Sequence, residues 1–321
     1  MSNSPDFKPF PFLSGRHGQT ILASCINFYR EPKSKTEYIL LPDQDLLTME
    51  ISTPKSWSEE MPTIIMAHGL CGSHRSAYLI RLSKKLFKKG IRTCRLNMRG
   101  CGSSRGLARH MYPSDTSRDF YLACKQIKKR KPKSPLYLIG FSMGGNAVLK
   151  LAGELGRDNE HLIDHVIGIS PPVQLATSSR MLGYPANRIY ERYFMKLLVE
   201  DATYRQKLFP ELPQIRLHAD MKLFDFDEHF TAPHIGHLSA VEYYEKSSAF
   251  SLLDQIKIPC EILYSLDDPI IDPNACDVLH LPPNVRIFKT QNGGHMGFLG
   301  SPGHFGGFRW MDSVLFQWLK V

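Results

Sequence analysis

Short apolar runs alternate with longer amphipathic stretches along most of this chain, and the alternation sets the expected architecture. YILLP (38–42) and LLTMEIS (46–52) read as an antiparallel opening pair of strands. TIIMAHG (63–69) and IRTCRLN (91–97) read as buried strands, with an amphipathic stretch through residue 89 between them. DTSRDFYLACKQIKKR (115–130) opens acidic and ends basic, the polarity that a helix dipole favours. The run Leu136–Ile139 leads into a further helical pattern, and HVIGISPP (165–172), CEILYSLDD (260–268) and VRIFKTQ (285–291) supply three more strands. FRWMDSVLFQWLK closes the chain as an amphipathic helix. Strands and helices alternating at this length predict the α/β class, with a mostly parallel, doubly wound sheet.

Residues 173–250 break the rhythm. They are rich in Tyr, Phe, Met and Arg and read as a mainly helical cap inserted over the carboxyl ends of the strands, where open α/β sheets bind ligands. The core is then expected in residues 36–172 and 251–321, and the Pro-containing residues 1–35 as an irregular segment wrapping it.

Composition narrows the class without changing it. The chain has 321 residues, 42% hydrophobic and 22% charged, enough for one large core with an insertion. It holds no apolar run of about 18 residues and no basic-then-apolar signal pattern at its start. Seven scattered cysteines without a C-x-x-C pair suit a reducing compartment and argue against a disulfide framework or a zinc site. A cytoplasmic location is the resulting expectation. The net charge of +9 is concentrated in KKLFKK (84–89) and KQIKKRKPK (125–133). Two readings fit these segments: solvated helix ends whose lysines complement the dipole, or peripheral contact with an anionic membrane surface. No aromatic residues are interleaved for base stacking, so no nucleic acid is expected as partner.

The candidate chemistry begins at Gly140-Phe141-Ser142-Met143-Gly144. This pentapeptide follows an apolar strand, and Ala147, Val148, Leu149, Leu151 and Ala152 follow it at helical spacing. Such a tight strand-to-helix turn exposes the serine and aims the free N–H groups of the helix start at whatever binds beside it. The pentapeptide alone does not separate a nucleophile from a helix N-cap, so the partners decide. A serine hydroxyl needs a positioned base that is itself oriented by a carboxylate, in the chain order serine, acid, histidine. Asp267 and Asp268 end one strand, and His295 sits in GGHMGF after the next. Asp268 is favoured because it directly precedes Pro269-Ile270-Ile271, with Asp267 bracing the loop; Asp267 as the acid is the alternative. Two N–H donors should serve an oxyanion, one from Met143 and one from Leu70 in the loop after TIIMAHG. His68 reads as a brace of that loop. His229, His234 and His237 have no clear ligand spacing, and NMRGCGSSRG (97–106) lacks a P-loop ending, so neither a metal nor a cofactor is expected.

With these residues in place, the chain resembles α/β-hydrolases of the YheT-like branch, which includes membrane-anchored lipid esterases. The resemblance spans nearly the whole chain. It is carried by GRHGQTI (15–21), AHGLCGS (67–73), NMRGCGSS (97–104), GFSMGGN (140–146), FDEHFTAPHIGHLSAVEYYEKSSAF (226–250), DDPII (267–271) and GGHMGF (293–298). It implies a charge relay of Ser142, Asp268 and His295, and a substrate pocket under a helical cap. Where relatives have His-Leu before Gln-Thr, this chain has His17-Gly18, which weakens the expectation of a helix there. The spanning leader of the anchored relatives has no counterpart, so the soluble form is expected. The expected activity is hydrolysis of a small-molecule carboxylic ester, acyl or lipid-like and of short to medium chain, through an acyl-enzyme. A thioester or amide substrate for the same triad, and a non-catalytic binding protein on this fold, are the alternatives.

Overall fold

Apolar runs that must be covered on two faces become interior strands, and the described residues supply eight strands to one sheet. The computed structural model describes residues 6–26, 29–212 and 221–321. The strands are β1 (Lys35–Leu40), β2 (Leu46–Ser52), β3 (Thr63–Ala67), β4 (Arg92–Asn97), β5 (Leu136–Phe141), β6 (His165–Ile169), β7 (Cys260–Ser265) and β8 (Val285–Thr290). They lie in the order β1-β2-β4-β3-β5-β6-β7-β8. β2 pairs antiparallel with both β1 and β4, and every other pairing is parallel. β3, β4 and β7 are buried along their full length, as parallel strands covered on both faces should be. The opening strand starts three residues earlier than the apolar run YILLP. As an edge strand it leaves Tyr38 and Leu40 exposed.

The helices are α1 (Arg16–Cys25), α2 (Ala77–Lys88), α3 (Ser117–Arg130), α4 (Met143–Arg157), α5 (Leu175–Leu182), α6 (Arg188–Leu208), α7 (Leu223–Phe226), α8 (Ala232–His234), α9 (Ala240–Ser247) and α10 (Trp310–Leu319). Side chains of β5 alternate between two apolar cores. Leu136 and Leu138 join α3 and α4 on one face, while Ile139 and Phe141 join α2 and α10 on the other. A buried ion pair ties that second layer together. Arg81 of α2 donates to both oxygens of Asp312 in α10 at 2.8 and 3.0 Å, and Lys85 adds a third bond at 2.7 Å.

Residues 1–35 are not irregular throughout. α1 forms over Arg16–Cys25 despite Gly18, because tertiary bonds hold it. Gln19 is fully buried, donating to the Leu299 and Leu13 carbonyls and accepting from the Leu299 amide. Such contacts override a weak local propensity. Both basic segments end helices: Lys85 and Lys88 lie in the last turn of α2, and Lys128, Lys129 and Arg130 in that of α3. Several of these cations are paired, Lys125 with Glu160, Lys128 with Asp164 and Lys131 with Glu59. Among the described residues, no helix is long and apolar enough to cross a membrane. Between β6 and β7 lie α5 to α9, with α5 packed on α6, α7 and α9.

Candidate active site

Three strand ends converge on one edge of the sheet, and each delivers one of the expected residues. Ser142 follows β5 directly and adopts φ 51° and ψ −124°, a left-handed conformation that a serine reaches only when its surroundings impose it. They do so from both sides. The Ser142 amide donates to the Ile169 carbonyl of β6 at 2.8 Å, and its own carbonyl accepts from Gly145 at 2.7 Å. Gly144 has to be glycine, since a Cβ there would stand 2.4 Å from the His68 carbonyl oxygen.

The structure brings Ser142, Asp268 and His295 into one hydrogen-bonded line. His295 Nε2 lies 2.9 Å from Ser142 Oγ, and His295 Nδ1 lies 2.8 Å from Asp268 Oδ2. The other carboxylate oxygen of Asp268 accepts from the Ile270 and Ile271 amides at 2.8 and 3.0 Å. Asp268 is buried, so its acceptor capacity is directed at these partners. With Nδ1–H donating to Asp268, Nε2 carries the lone pair that faces the Ser142 hydroxyl. Asp267 points elsewhere. It accepts from the Gly294 amide at 2.8 Å and from the Ser265 hydroxyl, bracing the loop that carries His295.

The amides of Met143 and Leu70 donate to no protein acceptor among the described residues, whereas the neighbouring amides of Gly69 and Cys71 do. Gly69 N–H donates to Tyr78 Oη at 3.0 Å and Cys71 N–H to Tyr112 Oη at 2.9 Å. Two tyrosines thereby pin the loop on either side of Leu70. His68 braces it from within: Nδ1–H donates to the Gly69 carbonyl at 2.8 Å, and Nε2 accepts from the Met98 amide at 3.1 Å. Full burial disfavours its charged form and lowers its pKa to about 4, so it stays neutral.

Sequence reasoning missed what GRHGQTI does. Thr20 Oγ1 accepts the His295 amide at 2.9 Å, and Gln19 holds Leu299 four residues further on. Gly294 sits with φ 56°, where a Cβ would meet the Arg16 carbonyl oxygen at 2.4 Å, so α1 lies directly against the histidine loop. At the other side of α1, His17 Nδ1 bonds Tyr190 Oη of α6 at 2.9 Å. The motif is visible in the sequence, but its partners lie about 280 positions away in the chain.

Ser142 and His295 open into a cavity of about 90 Å³. Leu70, Met143, Leu182, Phe194, Leu198 and Ile270 give it an apolar lining, and the helices between β6 and β7 supply much of its far wall. The histidines singled out in HFTAPHIGH do not converge: His229 is exposed, His234 packs at a tilt against Phe230 and His237 faces Glu242. Among the described residues one metal-like group, Asp43, Asp45 and His110, does occur. Arg99 already spans its two carboxylates, at 2.5 and 2.8 Å, and bonds Asp119 as well. The thiols of the partly exposed Cys71 and the buried Cys94 are pushed up to about 12 by desolvation, which keeps them protonated and poor nucleophiles.

Residues 62–302 match the family described as alpha/beta hydrolase fold. The protein YheT of Escherichia coli (strain K12) is 28% identical over 100% of this chain and 94% of its own length. A monoacylglycerol lipase of Danio rerio is 28% identical over 95% of this chain and 75% of its own. A monoacylglycerol lipase of Saccharomyces cerevisiae is 26% identical over 84% of this chain and 61% of its own. Among solved structures, 2,6-dihydroxy-pseudo-oxynicotine hydrolase superposes with a TM-score of 0.60 at 17% identity, covering 94% of this chain and 70% of its own. The esterase Pf2001 of Pyrococcus furiosus superposes with a TM-score of 0.56 at 16% identity, over 99% of this chain and 98% of its own. These two likenesses speak to the fold alone.

Proposed function

Because the chain belongs to the α/β-hydrolase fold family, we propose that it is a serine hydrolase of carboxylic esters, with Ser142 as nucleophile, His295 as base and Asp268 as the orienting acid. The observation that carries this reading is the unbroken line Ser142 Oγ–His295 Nε2–His295 Nδ1–Asp268 Oδ2, at 2.9 and 2.8 Å. In the acylation half, Ser142 Oγ attacks the ester carbonyl carbon while His295 Nε2 takes the hydroxyl proton. The carbonyl oxygen gains negative charge and accepts the Met143 and Leu70 amides, which are poised without partners of their own. Collapse of the tetrahedral intermediate breaks the bond to the leaving alkoxide, and His295 returns the proton to it. Water then enters, loses a proton to His295 and attacks the acyl-enzyme; the acid leaves and Ser142 recovers its proton.

Support for an acyl or lipid-like ester comes from the apolar lining of the cavity and from the lipase names of two relatives. A water-excluding apolar wall binds alkyl chains through burial, at about 25 cal/mol per Å². The helices α5 to α9 act in this reading as the cap that shapes the pocket. A panel of para-nitrophenyl esters, matched acyl thioesters and acyl amides tests it. Ester turnover should exceed both others, and Ser142→Ala should lower it at least about a thousand-fold. Full ester turnover by Ser142→Ala would exclude Ser142 as the nucleophile.

A further inference from the structure

One wall of the cavity carries polar groups that the hydrolytic steps leave unused. Asp227 and Thr231 stand at the two ends of a single π turn between α7 and α8, and both line the space that Ser142 and His295 open into. Both are more than nine-tenths buried, at 8% and 5% exposure. We propose that Asp227 and Thr231 form a subsite for a free, uncharged hydroxyl group on the ester substrate; this rests on Ser142 being the nucleophile.

The hydrogen-bond inventory of this wall supports the assignment. Tyr244 Oη donates to Asp227 Oδ2 at 2.7 Å and accepts from Ser179 Oγ at 2.9 Å, so its hydroxyl is filled. Tyr243 Oη accepts the Ser114 amide at 2.7 Å and donates to Ser114 Oγ at 2.8 Å, so it is filled too. Two atoms are left over. Asp227 Oδ1 receives no hydrogen bond of normal length and angle from the described residues, the recorded bond of this carboxylate being the one from Tyr244 to Oδ2. Thr231 Oγ1 is buried without a partner. A helical threonine normally donates to the carbonyl a turn back, and Thr231 does not. Burial raises the Asp227 carboxyl, and the nearby Thr231 hydroxyl offsets part of that rise, but no bond of normal length and angle forms between them.

The ligand chemistry follows from what these two atoms lack. Asp227 Oδ1 needs a donor and the Thr231 hydroxyl needs an acceptor; one ligand hydroxyl supplies both. An alkyl tail would leave both groups unsatisfied in an apolar cavity, which is costly. A carboxylate or phosphate would meet the Asp227 carboxylate with like charge. The hydroxyl has two chemical sources, a polyol such as glycerol on the alcohol side of the ester, or a hydroxylated acyl chain.

The test compares matched substrate pairs on the intact protein. Octanoyl glycerol against propyl octanoate reports the alcohol side; para-nitrophenyl esters of terminally hydroxylated and plain decanoate report the acyl side. The wild-type protein should prefer the hydroxylated member of one pair by at least about ten-fold in kcat/KM. That ratio should fall to within about two-fold in both Thr231→Val and Asp227→Asn, whose folding is checked by thermal melting and by fluorophosphonate labelling. Labelled, active enzyme with no preference in either pair overturns the subsite, as does a preference that both variants keep. Absence of both labelling and ester turnover in folded wild-type protein overturns the hydrolase reading, and the subsite with it. The two failures are therefore distinguishable.

Discussion

Ser142, Asp268 and His295 differ from their neighbours less in residue type than in where their lone pairs are aimed. Asp267 and Asp268 are adjacent, yet only Asp268 reaches the imidazole, while Asp267 holds the Gly294 amide. Asp268→Asn should lower kcat by about a thousand- to ten-thousand-fold, because an amide stabilises the wrong imidazole tautomer. Asp267→Asn keeps an acceptor for Gly294 and should stay within about ten-fold of wild type; steady-state kinetics with an aryl ester separate the two. Two other buried groups set opposing pH dependences. His68 has a pKa near 4 against 6.5 when unfolded, so its contribution is complete above about 6.5 and is lost as pH falls. Asp227, raised by burial to about 6 from 3.8, holds its proton longer when folded, so its effect lowers stability as pH rises. Each is worth about 3 kcal/mol, so they largely offset one another between about pH 4 and 6. Asp227→Asn removes one side. Its stability in guanidinium should then rise with pH across this window more steeply than that of wild type, and equal slopes would contradict the assignment.

At the scale of elements, the histidine loop is held from outside by α1. The His295 amide depends on Thr20, and Gln19 fixes Leu299 through a pair of bonds. Thr20→Val removes the acceptor but keeps the shape. It should lower kcat about ten-fold with little change in KM, and Thr20→Ser should restore it. A merely structural role would instead lower the melting temperature in both variants alike. This contact also marks where sequence reading ends. The alternation of apolar runs located every strand to within a few residues, because a buried parallel strand must be apolar on both faces. The chain order of elbow, acid and histidine named the three residues that the structure brings together. Local pattern did not reveal that α1 is helical, since its helicity comes from contacts with residues near 295. Nor did it reveal Tyr78, Tyr112 or Asp227, whose roles depend on which hydroxyl meets which amide or carboxylate.

At the scale of the whole molecule, a sheet covered on both faces presents its carboxyl edge to the helices between β6 and β7, and the cavity lies between them. The core on one side is locked by the Arg81–Asp312–Lys85 cluster, in which Asp312 is wholly buried. This rigid frame lets a strained serine persist, because the cost of its conformation is spread over packed neighbours. The central claim is that this frame presents Ser142 as an activated nucleophile, and covalent labelling tests it most directly. Native protein treated with a fluorophosphonate should gain one adduct, and peptide mass spectrometry should locate it on Ser142, with no adduct in Ser142→Ala. An adduct on a different residue, or none on folded protein, would contradict the account.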